Sequence, residues 1–109
     1  MIQNLSQLKK QLMPGTEFEI LEHVRPEYVG QVRRVTTANT QGVYSIIPSA
    51  PDSHVSLANG GKGSVLYWSK APYWEFDTSK DTCAVFIGRL EAKSLVMRFR
   101  IIGASPLAE

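Results

Sequence analysis

The stretch "NGGKGSVLYWSKAPYWEF", residues 59–76, places a lysine in a glycine-rich turn just ahead of two Tyr-Trp pairs. Such residues can do two kinds of chemistry. Backbone amides of a Gly-Lys loop can hold a phosphate, and aromatic side chains beside cations can stack on bases or anchor a protein partner. A Walker-type loop needs a glycine, four residues, then Gly-Lys-Ser/Thr, followed by a helix. Here Lys62 is followed by Gly63, position 56 is serine, and "SVLYWS" reads as a strand, so that motif is absent. Two readings of the turn remain. One is a small anion nest made by Gly60, Gly61 and Gly63 with Lys62 nearby; the other is a glycine-permitted bend ahead of a strand.

Side chains alternate between the faces of a strand, so "VLYW" sets Leu66 and Trp68 on one face. In "YWEF", Trp74 and Phe76 share a face, and Pro72 marks a break or edge between the two segments. The economical assignment sends Leu66, Trp68, Trp74 and Phe76 to the core. Tyr67 and Tyr73 then stand on the outer face beside Lys70, either exposed as a contact surface or covered by an N-terminal helix. Near the C-terminus, Leu95, Met97, Phe99 and Ile101 alternate with Val96, Arg98, Arg100 and Ile102. With Arg89 and Lys93 upstream, this is the most basic neighbourhood, and Arg33-Arg34 is a second. Arg33, Arg34, Arg98 and Arg100 would contact phosphates if the strands bring them near the aromatics, or else protect a solvated strand. No helix-turn-helix, zinc-ligand or RNP-type pattern accompanies them.

Catalytic groups are sparse. His54 follows Asp52 by two residues, without further ligands at metal-binding spacing. His23 falls on the outer face of a strand opposite Phe18 and Ile20, and Cys83 opens an apolar strand as a small buried hydrophobe. Glu17, Glu19 and Glu22 alternate with apolar residues as a solvated face. The expectation is a protein without catalytic residues, cofactor or metal.

These residues are positioned by a chain of 109 residues, 43% hydrophobic, long enough for one domain with its own core. Twelve Lys and Arg against ten Asp and Glu give a net charge of +2, which does not require a nucleic-acid partner. A lone cysteine points to a reducing compartment, and neither a membrane span nor a secretory leader is legible, so a cytoplasmic location is expected. Ile2, Leu5, Leu8 and Leu12 form the stripe of a short amphipathic helix over residues 1–13, ended by Pro14-Gly15. Residues 16–102 then read as strands: "EFEILEHV", with Phe18, Ile20 and Val24 on one face, "GQVRRVTT", "GVYSII", "SVLYW", "PYWEF", "CAVFIGRL" and "LVMRFRII". "ANTQ" is the turn of a hairpin, and residues 48–63 are a long loop with no helical periodicity. The predicted fold is α+β in a single domain: a short N-terminal helix, then a mostly antiparallel sheet. A small, partly closed SH3-like or OB-like barrel is the expected geometry.

The ordered set "PGTEF", "RPEYVGQVRRV", "VYSI", "NGGKGSVLYWSKA", "WEF" and "VMRFRI" resembles small uncharacterised proteins of prophages and conjugative elements in Gram-positive bacteria. The resemblance spans nearly the whole chain and is most specific in "VGQVR" with "NGGKGS". It implies a compact binder that acts on a host or element-encoded protein, or on DNA or RNA, and assigns no activity to any residue. Two classes of function follow. A protein-interaction module would use Tyr67, Tyr73 and the 48–63 loop; a nucleic-acid binder would add Lys62, Lys70 and the four arginines.

Overall fold

The computed structural model describes residues 2–68, 73–87 and 94–103. Helix α1, Leu5–Gln11, starts at Asn4, whose side chain accepts the Gln7 N–H at 2.9 Å, and ends with Lys9 and Lys10 in its last turn. The Gln11 carbonyl accepts the Thr16 hydroxyl at 2.9 Å. Ile2, Leu8 and Leu12 are buried, as their spacing predicts.

Seven strands follow: β1 (Glu17–His23), β2 (Val32–Ala38), β3 (Gly42–Ile46), β4 (Ser64–Tyr67), β5 (Tyr73–Asp77), β6 (Thr82–Ile87) and β7 (Ser94–Gly103). They form one antiparallel sheet in the order β4-β3-β2-β1-β7-β6-β5, so every pair of successive strands except β4 and β5 is adjacent. The β2–β3 turn is an Asx turn, in which Asn39 Oδ1 accepts the N–H groups of Gln41 and Gly42.

Each step across the sheet is antiparallel, so the edge strands β4 and β5 run in the same direction. The sheet curls until these edges approach. Trp74, at the start of β5, has its ring 6.1 Å from that of Trp68, just beyond β4, and its indole N–H donates to the Trp68 carbonyl at 3.0 Å. The sheet is not closed, because no ladder joins β4 to β5 among the described residues.

The concave face holds the core. Phe99 is fully buried, with its ring 5.0 Å from Phe18 and edge-on to Trp74 at 6.4 Å. Trp68 is buried, while Leu66, Trp74 and Phe76 pack partly buried against the core, as alternation predicts. Cys83 is buried too, and burial pushes its thiol up to about 12. Helix α1 covers one end of this face: Lys9 reaches over the Trp68 ring, and Ile2 lines a small cavity with Cys83 and Ile101.

Two expectations are corrected. Residues 48–63 are not simply a loop, for helix α2, His54–Gly61, lies within them. Ser53 caps its start, and the buried Ser56 hydroxyl accepts the Ile47 N–H and donates to the Ala50 carbonyl, both at 2.9 Å. The element is one helical turn that breaks at Ala58, too short to show a periodic stripe. Val24 does not share the face of Phe18 and Ile20. The β1–β7 register shifts between Ile20 and Glu22, and Val24 is 66% exposed.

Gly63 ties this region to the sheet. Its φ is +97°, and a Cβ there would lie 1.8 Å from the Ser45 carbonyl oxygen. Gly60 has φ +71° with open space around its Cβ position. Gly63→Ala is expected to cost about 3 kcal/mol or more, from strain plus the backbone clash, and Gly60→Ala about 1 kcal/mol from strain alone. Urea denaturation of the two variants checks this ordering. Cys83 should react with a thiol reagent in urea but not in the native protein.

Candidate functional site

The other end of the concave face holds a cavity of about 160 Å³. Its walls come from β1, β2, β3, β4, β7 and α2, and are mostly apolar: Phe18, Val43, Val55, Leu66, Val96 and Met97. Its polar groups are His23, Tyr28, Arg33, Ser45 and Ser64.

Arg33 reaches this interior because it lies two residues before Val35 on β2, and both face inward. It is 5% exposed. Nε and Nη2 donate to Gln31 Oε1 at 3.1 and 2.9 Å, and Nη1 donates to Ser64 Oγ at 3.1 Å. The Tyr28 ring lies 5.1 Å from the guanidinium carbon. No carboxylate among the described residues pairs with it. Burial pulls the guanidinium below its ordinary pKa, opposed by Tyr28; an arginine nevertheless keeps its charge at any physiological pH. Three of the five N–H donors are used, leaving one on each terminal nitrogen.

The cover over Arg33 comes from the segment joining β1 to β2. A single 3₁₀ turn, Pro26–Tyr28, folds it back, and the Gly30 N–H donates to the Ile20 carbonyl at 2.8 Å. Tyr28 thereby stands edge-on to His23, 4.9 Å between ring centres. His23 Nδ1 accepts the Arg25 backbone N–H at 2.9 Å, so in the neutral ring the proton is on Nε2. Burial, then the charges of Arg33 and Arg25, lower the His23 pKa from 6.5, while Glu27 opposes them.

The expectation that Arg33 sits on an exposed basic face is therefore wrong, and so is the solvated outer position of His23. Period-two alternation from Val35 could have placed Arg33. The register shift that turns His23 inward has no sequence signature of its own. Gln31, Ser45, Ser64 and Tyr28 carry no signal in the sequence, because single polar residues in strands and turns are ordinary.

Arg34, Arg98 and Arg100 lie on the convex face with the β1 glutamates. Arg34 meets its cross-strand neighbour Glu17 at 2.9 Å, Arg98 meets Glu22 at 2.9 Å, and Arg100 meets Glu19 at 3.2 Å. Sign alternates across this face, which gives a polyanion no continuous positive track. The pairs are exposed, each contributing about 0.2–1 kcal/mol.

Of the two readings of the Gly-Lys turn, the hydrogen bonding at its end favours the bend. The N–H groups of Lys62 and Gly63 both donate to the Ala58 carbonyl, the latter at 2.9 Å, so Gly63 offers no amide to an anion. Gly60 and Gly61 have left-handed φ, as a bend requires. The Lys62 ammonium lies 5.8 Å over the Tyr44 ring, and its carbonyl accepts the Thr36 hydroxyl. Tyr67 is 41% exposed. Lys70, Pro72, Arg89 and Lys93 lie outside the described residues; β5 carries Tyr73 at its first position.

No family model, curated protein or solved structure matches the chain. The functional reading rests on the site itself.

The lowered pKa of His23 has a consequence for stability. The unfolded chain takes up a proton near pH 6.5 and the folded one only at lower pH, so stability is full above that value and falls as pH drops below it. Urea midpoints at pH 7.5 and 5.5 should show this loss in the wild type and a smaller one in His23→Gln. Asp77, whose pKa is lowered from 3.8 chiefly by its hydrogen bond from Ser79, acts only in more acidic solution and does not confuse the comparison.

Proposed function

We propose that the protein is a non-enzymatic binding module that holds a small organic anion inside the curled sheet, with Arg33 as its counter-charge. The observation that carries this reading is a buried guanidinium with no carboxylate partner among the described residues, bordering a mostly apolar cavity. Burying an unpaired charge is costly, and an arriving anion would offset that cost. The acceptors already present, Gln31 and Ser64, are neutral, so they orient the guanidinium without cancelling its charge. In this reading the sheet is a partly closed barrel with its ligand at one mouth and α1 at the other. Its seven strands in meander order differ from the five-stranded Greek key of an OB barrel.

A second reading, the protein-interaction module, has one observation in its favour. Leu57 on α2 is 57% exposed, and Tyr67 on the adjoining β4 is exposed as well. A tyrosine such as Tyr67 serves as a contact anchor, for a host or element-encoded protein on this reading, with Leu57 adding apolar area beside it.

Arg33→Met tests the anion reading through stability and binding together. Without ligand, the variant is expected to be as stable as the wild type or more stable by about 1–3 kcal/mol, since a buried unpaired charge has been removed. A panel of anionic and neutral small molecules should raise the wild-type melting temperature only with anionic members, and none should act on the variant. Destabilisation by about 3 kcal/mol or more, with no anion effect on the wild type, would assign Arg33 a purely structural role.

A further inference from the structure

The cavity around Arg33 also constrains what kind of anion fits. We infer that its ligand is a monocarboxylate whose body is about one aromatic ring or a chain of about six carbons, bound with the carboxylate on Arg33. This rests on the anion-binding reading above and adds the chemical class to it.

Charge is the first constraint. The site offers one fixed positive charge, and His23 is held toward its neutral form. Among the described residues, no lysine or second arginine lines the cavity. One guanidinium balances a monoanion. A phosphate, close to two negative charges near neutral pH, would remain half uncompensated in apolar surroundings.

Donor count is the second constraint. After Gln31 and Ser64 are served, Nη1 and Nη2 each retain one N–H, the number that a bidentate carboxylate accepts. The Ser45 hydroxyl and the His23 ring also border the cavity, and the first turn of α2 reaches it through Val55. Walls and size set the body of the ligand. Apart from these groups and Tyr28 the lining is apolar, and a cavity of about 150 Å³ with aliphatic and aromatic walls accepts benzene. Phe18, Val43, Leu66, Val96 and Met97 would bury the ring or chain, and the polar groups beside Arg33 (His23, Tyr28, Ser45 and Ser64) offer no second fixed charge.

The test is isothermal titration of the wild-type protein at pH 7.5 with five probes: benzoate, hexanoate, benzamide, inorganic phosphate and dodecanoate. The inference expects benzoate or hexanoate to bind at least about tenfold tighter than benzamide, the step expected from charge-assisted hydrogen bonds. It expects phosphate not to bind and dodecanoate to bind more weakly than hexanoate. Arg33→Met should lower benzoate affinity by about tenfold or more, and Arg33→Lys should lose part of it, because a lysine cannot make the bidentate contact.

Phosphate binding without carboxylate binding would overturn the monocarboxylate inference and leave the anion reading standing. Benzamide binding as tightly as benzoate would overturn the inference by showing an apolar pocket indifferent to charge. If no anion binds, both fail. Circular dichroism of the variants separates lost binding from lost folding, and the wild-type panel decides the ligand class without them.

Discussion

A positive charge held inside a curled sheet, with only neutral partners among the described residues, is the constraint around which the rest of this protein is arranged. Arg33 cannot leave the interior, because Val35 fixes the face of β2 on which it lies. Its side chain must then find acceptors within the sheet. Gln31 supplies one from the adjacent segment, and Ser64 supplies another from β4, two strands away. The guanidinium thus joins both ends of the β2-β3-β4 layer, and the curl of the sheet brings them within reach.

Several local features make sense as supports for that arrangement. Gly63 lets β4 lie against the backbone of Ser45, which brings Ser64 opposite Ser45 and within range of Arg33. The register shift in β1 turns His23 inward while keeping Glu22 outward, where it meets Arg98. The glutamates of β1 are thereby committed to the convex face. Had one of them faced inward, it would have neutralised Arg33, and the cavity would hold an internal ion pair instead of an open charge.

Much of the fold was legible because it depends on period. The leucine stripe of α1, the seven strands and the inward aromatics Trp68, Trp74 and Phe76 all follow from spacings of three-to-four or two. What escaped depends on irregularity. The single turn of α2 buries Val55 and Ser56 but is too short for a stripe, so residues 48–63 read as loop. The shift at Ile20–Glu22 displaces Val24 and His23 from the faces that strict alternation assigns. The site was illegible for a chemical reason as well: arginines attract attention as surface cations, and a paired Arg-Arg gives no hint that one points in. Alternation from Val35 was the available signal. The neighbouring Arg34, matched by Glu17, shows the same rule working outward.

Anion binding in this cavity depends on the state of the Arg33 side chain, and arginine-detected nuclear magnetic resonance reads that state directly. The Nε–H signal of Arg33 should exchange slowly with water and should shift, saturably, as benzoate is added, while those of Arg34, Arg98 and Arg100 exchange rapidly and stay in place. An Arg33 signal that exchanges as fast as theirs, or that benzoate leaves unmoved, would contradict a buried charge waiting for an anion.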